Sequence, residues 1–229
     1  MLCFDAGVET ASGTSSSAID LSMPLEEAML TQRSIRRLTH DPVDDALVLR
    51  LIELAQKAPT GSNAQNWEFV VVKDPAVKQR LGELNRQAWS VYGRIGRLVT
   101  RKDPKMGRIL DAVDWQAQHF AEVPVAVVAC LRGPRLYFPP IAASSYYGSI
   151  YPSVQNLLLA ARAAGLGAGV ITLPLWSTFL ARRALGLPWR VQPCAVVPLG
   201  WPRGRYGPTT RKPVGEVTHL DRYGNQPFR

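Results

Sequence analysis

Apolar residues recur along this chain at two spacings, and each spacing predicts a different kind of element. Residues 44–57 carry Val48, Leu51 and Ile52 at the spacing that places them on one face of a helix. Residues 124–131 are instead a short and nearly continuous apolar run, which is typical of a strand buried on both faces. The two patterns together predict an α+β protein.

The same two patterns predict the remaining elements. Further helices are expected over residues 24–30, 75–88, 107–120, 145–164 and 176–185, and further strands over residues 68–73, 167–173 and 191–200. Pro193 and Pro198 indicate that the last strand is broken or lies at an edge, because proline cannot donate to a sheet ladder. Residues 89–106 show neither period and are expected to be the least regular part. We therefore expect helices flanking a mixed central sheet of about four to five strands.

Two terminal stretches lack either period. Residues 1–22 are rich in Ser, Thr and Gly, and we expect a flexible tail followed by one domain over residues 23–229. Residues 201–229 are rich in Pro, Gly and Arg. A packed segment of that length with no structure of its own is unusual in a monomer. We therefore expect it to form an arm that wraps around a partner subunit in a homodimer.

The net charge narrows the choice of ligands. The sequence has 27 Lys and Arg against 18 Asp and Glu, a formal charge of +9, which favours anionic ligands. The basic residues are spread over several segments, which favours small anionic cofactors over nucleic acid. No apolar run approaches the ~20 residues of a membrane span, so no membrane partner is expected.

The cysteines and histidines indicate neither a disulfide framework nor a metal site. Cys3, Cys130 and Cys194 are far apart and odd in number, which fits a reducing, cytoplasmic environment. The three histidines show no metal-ligand spacing with one another or with the cysteines, so no metal is expected.

A cluster of cations and a hydroxyl follows the first predicted helix. Arg33, Ser34 and Arg36 lie within four residues. Arginine presents a planar fork of donors, and its charge-assisted hydrogen bonds to phosphate are about twice as strong as neutral ones. A phosphate site is one interpretation. The other is a solvated basic helix end, which also complements the helix dipole.

A polar loop precedes the first predicted strand. Residues 59–67 run Pro-Thr-Gly-Ser-Asn-Ala-Gln-Asn-Trp. Glycine lets the backbone approach a ligand closely, and Ser, Asn and Gln offer both donors and acceptors. The loop therefore suits the edge of a flat heteroaromatic ring, although an ordinary helix-to-strand turn has a similar composition.

These stretches resemble the FMN-dependent nitroreductase and flavin reductase family. That family has R-S-x-R after its first helix and a P-S/T-x-x-N-x-Q-P-W loop before its first strand, whose proline is replaced here by Asn66. Two later stretches are also similar, namely Ala-Gly-Leu-Gly at 164–167 leading into residues 170–174, and Arg-Lys-Pro at 211–213. The four motifs follow the family's order and cover roughly residues 24–223.

The resemblance implies a domain-swapped homodimer with two FMN sites at its interface. It places Arg33, Ser34, Arg36, Arg211 and Lys212 at the FMN phosphate, Thr60, Ser62, Asn63 and Gln65 at the ribityl chain and ring edge, and Ile171, Thr172 and Leu173 at the isoalloxazine. No side chain need be catalytic, because the cofactor carries the chemistry. The implied reaction passes a hydride from NAD(P)H through flavin N5 to a nitroaromatic or quinone-like acceptor by a ping-pong mechanism.

Residues 89–108 are strongly basic and form a candidate substrate segment. They contain Arg94, Arg97, Arg101, Lys102, Lys105 and Arg108 against the single acid Asp103. A solvated segment is one explanation. The other is recognition of the 2′-phosphate of NADPH, for which the central Arg97 is our candidate. Trp89 and Tyr92 are candidates for stacking on the nicotinamide or the acceptor, although their spacing also fits a core face.

Two other functions stay open. Residues 172–175 and 105–107 resemble the flavin-dependent iodotyrosine dehalogenases, but no acid lies between Trp89 and Lys102, where those enzymes place a Glu. The other is a non-enzymatic, basic dimeric protein that binds flavin or nucleic acid. A Rossmann dinucleotide fingerprint at residues 165–169 is rejected, because these glycines follow a predicted helix and open a strand, the reverse of the Rossmann order.

Overall fold

The centre of the protein is a four-stranded antiparallel sheet. The structure is a computed structural model that describes residues 20–100, 102–133 and 140–229. Its strands are β1 (Trp67–Val72), β2 (Val125–Arg132), β3 (Gly167–Ala168) and β4 (Val191–Gly200), in the order β1-β2-β4-β3. Helices cover both faces, which confirms the predicted α+β class.

The sequence predicted a mixed sheet, but the observed strand directions do not form one. All three pairings among the described strands are antiparallel. The register places Val72 opposite Ala126, so β2 begins at the end of the sheet where β1 stops. The two helices between these strands form a hairpin that returns the chain to this end, so the crossover that a parallel pair requires is not made.

Seven helices surround the sheet in the described part of the chain. They are α1 (Leu25–Thr31), α2 (Asp45–Ala55), α3 (Pro75–Val99), α4 (Pro104–Gln118), α5 (Pro140–Gly148), α6 (Tyr151–Ala163) and α7 (Thr178–Leu185). Four of them begin at a side chain that accepts backbone N–H groups of the first turn, which is the preferred N-cap chemistry. These caps are Asp44, Asp74, Asp103 and Ser177.

The sequence predicted that residues 89–106 would be irregular, but in the structure they are largely helical. Helix α3 continues to Val99, and α4 starts again at Pro104. Trp89 and Gly93 extend the buried face of α3, and the Trp89 indole N–H donates to Asp114 of α4 at 2.5 Å. Packing of the two helices against each other therefore stabilises a helix whose sequence shows little local periodicity.

The predicted helix over residues 145–164 is two helices, α5 and α6. Ser149 and Ile150 separate them. Pro152, in the first turn of α6, has no N–H to donate to the carbonyl four residues earlier. The break is therefore a consequence of this proline.

Strand β4 is not an edge strand, because it pairs with β2 on one side and with β3 on the other. Its two prolines occupy places where a ladder donor is not required. Pro193 lies at the β-bulge opposite Cys130. Pro198 presents its nitrogen to the β3 side, where pairing stops at Ala168 and resumes only at Ile171. Sheet prolines are tolerated at such interruptions. The predicted strand over 167–173 is accordingly reduced to two residues and one isolated bridge.

The core has one layer on each face of the sheet. Strand β2 is buried from Val125 to Leu131, which confirms the interpretation of its apolar run. Its odd-numbered residues pack with α2 and α6, and its even-numbered residues with Leu81 of α3 and Phe120.

Two further findings concern the ends of the chain and its helices. In residues 201–229 the only helical element is a single 3₁₀ turn, Val214–Glu216, as the lack of periodicity predicted.

Within the described residues, no helix is both long and apolar enough to cross a bilayer. The predictions made for residues 1–19 and for Arg101 lie outside the described part.

Candidate functional site

The segment with the clustered arginines is extended and fastened to β3. The Ile35 N–H donates to the Ala168 carbonyl at 2.9 Å, and Leu38 is buried and bridges Pro202. The contact is close because residue 167 is glycine. A Cβ there would lie 2.6 Å from Leu38 Cδ2. Ile35 and Leu38 thus anchor the segment, and the arginines between and beside them line a surface cavity.

This cavity, which we call the basic cavity, has a volume of about 810 Å³. Three parts of the chain line it, the segment 33–37, residues of α4 from Lys105 to Trp115, and residues 203–205. Its charged lining residues are Arg33, Arg36, Arg37, Lys105, Arg108, Arg203 and Arg205. No carboxylate lines it, so the cavity carries a concentrated positive charge that suits anions.

A second hollow of about 380 Å³ adjoins the basic cavity, and five residues line both: Arg33, Ser34, Arg36, Lys105 and Ile109. Its own lining is Gln32 and residues 208–211, which include Arg211. The fold therefore brings together four of the five residues that the resemblance assigns to the phosphate. Lys212 is exposed and lines neither hollow.

The cations of both hollows have no anionic partner in the described part of the chain. None of its five ion pairs involves them. Burial, and then the neighbouring Arg33 charge, lowers the pKa of the Arg36 guanidinium from its ordinary value. A bound anion would offset both effects, because an opposite charge favours the charged form of a group. The residues present thus fit a phosphate.

The segment assigned to the flavin ring lies beside the arginines. A Cβ at Gly169 would lie 3.3 Å from the Cβ of Ser34. Two residues later, Ile171 exchanges two 2.9 Å backbone hydrogen bonds with Val196. Thr172 and Leu173 then begin a 3₁₀ turn. Residues 169–173 therefore connect the arginine segment to the sheet edge.

The polar loop Thr60–Gln65 does not meet the arginines within one chain. It lies against α5 and the residue that follows it, with the Gly61 N–H donating to Ser149 Oγ at 3.1 Å. Ser62, Asn63 and Gln65 are exposed and have positive φ angles of 53°, 52° and 47°. Strained, exposed polar residues of this kind cluster at ligand sites. The loop lines neither hollow.

The three residues proposed from the basic segment are also outside the cavity lining. Trp89 is buried between α3 and α4, Tyr92 is exposed on α3, and Arg97 pairs with Asp111 at 2.8 Å. Lys105 and Arg108 of the same segment do line the cavity.

Among the charged and aromatic residues of the cavity lining, four were assigned no role from the sequence: Arg37, Trp115, Arg203 and Arg205. Arg37 adjoins the recognised motif and could have been included with it. The other three come from segments far from that motif in sequence, and only the folded chain brings them together.

These features define a class of protein. It has an α+β fold with a concave surface site that is lined by arginines and lysine and by no carboxylate. The site lies next to β3, where Gly167 allows close packing. Residues 29–201 match the model of the nitroreductase family. The chain therefore belongs to the nitroreductase family of oxidoreductases, as its motifs predicted.

Two curated relatives extend over most of the chain. An NADH dehydrogenase of Thermus thermophilus is 29% identical over 203 residues, covering 83% of this chain and 92% of its own length. Iodotyrosine deiodinase 1 of Rattus norvegicus is 30% identical over 197 residues, covering 83% of this chain and 67% of its own length.

A solved structure supports the fold. The NADPH:FMN oxidoreductase from Vibrio harveyi, complexed with NAD⁺, has a TM-score of 0.67 at 21% sequence identity. The match covers 87% of this chain and 77% of that chain.

Proposed function

We propose that this protein is an FMN-dependent oxidoreductase that takes a hydride from NAD(P)H and reduces flat acceptors such as nitroaromatics or quinones. One observation carries the proposal. Arg33, Ser34, Arg36 and Arg211 converge around connected hollows that contain no carboxylate. The family to which the chain belongs, and the FMN in the name of its Vibrio harveyi neighbour, support FMN as the ligand.

The chain's own groups have positioning and electrostatic roles in this proposal. Arg33, Arg36 and Arg211 would hold the cofactor phosphate by charge-assisted hydrogen bonds, with Ser34 adding a hydroxyl. The segment 171–173 would present its backbone to the ring, with Gly169 leaving room beside Ser34. When bound, FMN supplies the hydride chemistry, and the protein supplies binding and orientation. Because one open site would serve donor and acceptor in turn, we propose ping-pong kinetics.

The ring edge would be completed by a second copy of the chain. Thr60, Ser62, Asn63 and Gln65 suit this role but line neither arginine hollow of their own chain. Large apolar side chains are exposed on α1 and on the C-terminal arm, among them Leu25, Met29, Val214, Val217 and Phe228. Exposed apolar surface of this kind is typical of subunit interfaces. We therefore propose a homodimer whose arm, residues 201–229, wraps around its partner, each subunit being one domain from residue 23 onwards.

Flavin content tests the proposal directly. Purified protein should be yellow, and flavin released by heat should run as FMN rather than FAD. Arg33→Ala should weaken FMN binding by about 1.5–3 kcal/mol, the usual contribution of a hydrogen bond between charged groups. Arg190→Gln is the matched control, because this exposed arginine lines neither hollow. A colourless protein that takes up no added FMN contradicts the proposal.

A second candidate is reductive dehalogenation of an iodotyrosine. The 30% identity to iodotyrosine deiodinase 1 favours it, whereas the absence of an acid between Trp89 and Lys102 opposes it. Turnover of 3-iodotyrosine and of a nitroaromatic–quinone panel by the same preparation separates the two. Iodide release that exceeds every other turnover would favour the dehalogenase.

A further inference from the structure

We propose that the part of the basic cavity formed by Trp115, with Arg37 and Arg203 beside its ring, and by Arg205 binds the adenosine 2′-phosphate of NADPH. The inference rests on the proposed function, because it takes the hydride donor to be a nicotinamide dinucleotide. The proposed cluster would be the part of the site that distinguishes NADPH from NADH.

Two of these arginines are held in place before any ligand binds. The Arg37 and Arg203 guanidinium carbons lie 5.5 and 5.8 Å from the centroid of the Trp115 ring. Arg203 also donates from Nε to the Leu38 carbonyl at 2.9 Å and from Nη2 to His40 Nε2 at 3.3 Å. Such preorganisation lowers the entropy that binding would otherwise cost.

The same cluster offers flat surfaces. Trp115 stacks on His119 with the ring centroids 4.2 Å apart and the planes 8° from parallel. The guanidiniums of Arg37 and Arg203 lie close to the same Trp115 ring, which lines the cavity. Nucleic-acid bases stack on aromatic rings and on guanidinium planes. An adenine would therefore find a surface here that a bare phosphate would not use.

The two hollows together carry more positive charges than one flavin phosphate would pair with. Arg33, Arg36 and Arg211 are the cations of the adjoining hollow together with Lys105. Arg37, Arg203 and Arg205 line only the larger of the two hollows, whose lining contains no carboxylate, and none of them belongs to an ion pair in the described part of the chain. A phosphate monoester on the adenosine would use these charges, whereas the unphosphorylated dinucleotide would leave them unpaired. This difference is the basis for discrimination.

Size and position agree with this assignment. At about 810 Å³ the cavity lies within the range of small-molecule sites, roughly 300–1,000 Å³. Shared lining residues, among them Arg33, Ser34 and Arg36, make it continuous with the flavin phosphate hollow. Arg97, our candidate from the sequence, is instead neutralised by Asp111. The structure thus favours the Trp115 cluster as the 2′-phosphate site.

Calorimetric titration of the full-length, FMN-saturated protein tests the inference without any turnover. The probes are adenosine 2′,5′-bisphosphate, adenosine 5′-monophosphate and inorganic pyrophosphate. We expect the bisphosphate to bind at least about tenfold more tightly than the monophosphate, since the 2′-phosphate gains charge-assisted hydrogen bonds. A double variant with Arg37→Gln and Arg205→Gln should lose this preference, and Arg190→Gln should retain it. Trp115→Leu should weaken both nucleotides but not pyrophosphate.

Three results would overturn the inference. They are equal affinity of the native protein for the two nucleotides, a preference that survives the double variant, and pyrophosphate binding as tightly as the bisphosphate. The last would indicate a general polyanion surface. Arg37 and Arg205 make no described side-chain hydrogen bond or ion pair, so their variants are expected to fold, and thermal unfolding checks this. If the protein takes up no FMN, the proposed function fails, but the same titration of the flavin-free chain still decides the nucleotide site.

Discussion

Arg97 donates a 2.8 Å hydrogen bond to the Asp111 carboxylate and so joins α3 to α4. The pair is exposed, with half or more of each side chain accessible. Its charge is satisfied within the chain, so Arg97 does not add to the positive field of the basic cavity. Its presence in a basic stretch of sequence therefore says little about ligand binding.

We expect Arg97→Gln to leave the preference between NADPH and NADH unchanged. The stability cost should be small, about 0.2–1 kcal/mol, because solvent screens exposed ion pairs. Stopped-flow flavin reduction with each dinucleotide measures the first effect, and urea unfolding of Arg97→Gln, Asp111→Asn and the double variant measures the second. A lost NADPH preference in Arg97→Gln would return the 2′-phosphate role to this residue.

The two buried cysteines should be unreactive in the folded protein. Burial raises the pKa of both the Cys130 and the Cys194 thiol to about 12, and the thiolate is the reactive species. In a Cys3→Ser variant, which keeps only these two thiols, modification by a disulfide reagent at pH 8 should follow the urea unfolding curve. Full labelling in buffer without urea would contradict the buried positions.

Local sequence patterns predicted those elements whose formation depends on local physics. Strand β2 was predicted within about a residue because a strand buried on both faces leaves an unbroken apolar run. The continuation of α3 past Trp89 was missed because contacts with α4 stabilise it. The interior position of β4 was missed because its prolines fall at a bulge and at a gap in pairing, which sequence alone does not show.

The candidate site likewise contains some residues that the sequence could indicate and others that it could not. Arg33, Ser34 and Arg36 are adjacent in sequence and could be recognised as a motif. Trp115 and Arg203 reach the same cavity from separate segments, and no local pattern connects them. The Thr60–Gln65 loop was recognised by composition, but it lines neither hollow of its own chain, and its proposed contact with the flavin requires the second subunit proposed above.

Tyr206 should anchor the start of the C-terminal arm. Its hydroxyl donates to the Leu166 carbonyl, and the Arg162 guanidinium lies 4.2 Å above its ring. We expect Tyr206→Phe to cost about 0.5–1.5 kcal/mol for the lost hydrogen bond and Tyr206→Ala about 2–4 kcal/mol with the lost packing. Urea unfolding measures both. Tyr223→Phe, at a fully solvated position, is the control and should change nothing.

The same tyrosine should make stability fall at high pH. Burial raises the pKa of Tyr206 to about 12 from an ordinary value of 10.0. The unfolded chain therefore releases this proton first, and the contribution is intact below pH 10 and is lost as the pH rises towards 12. Comparing unfolding free energies at pH 8 and pH 11, native protein should lose more than Tyr206→Phe. Equal losses would show that this phenol does not titrate differently in the two states.

Gly167 should be required for the position of the arginine segment. A Cβ at this residue would lie 2.6 Å from Leu38 Cδ2 and 2.9 Å from Ile35 Cγ2, the two side chains that anchor Arg33 and Arg36. We expect Gly167→Ala to cost about 1–3 kcal/mol, as overpacking usually does, and to weaken FMN binding by displacing the guanidiniums. Gly107→Ala is the matched control. It has no atom within 4 Å of the new Cβ and lies within α4, where alanine should stabilise by about 0.5–1 kcal/mol. Urea unfolding and flavin titration of both variants make the comparison. If Gly167→Ala unfolds like the native protein and binds FMN equally well, then the close contact between β3 and the arginine segment does not position the phosphate site.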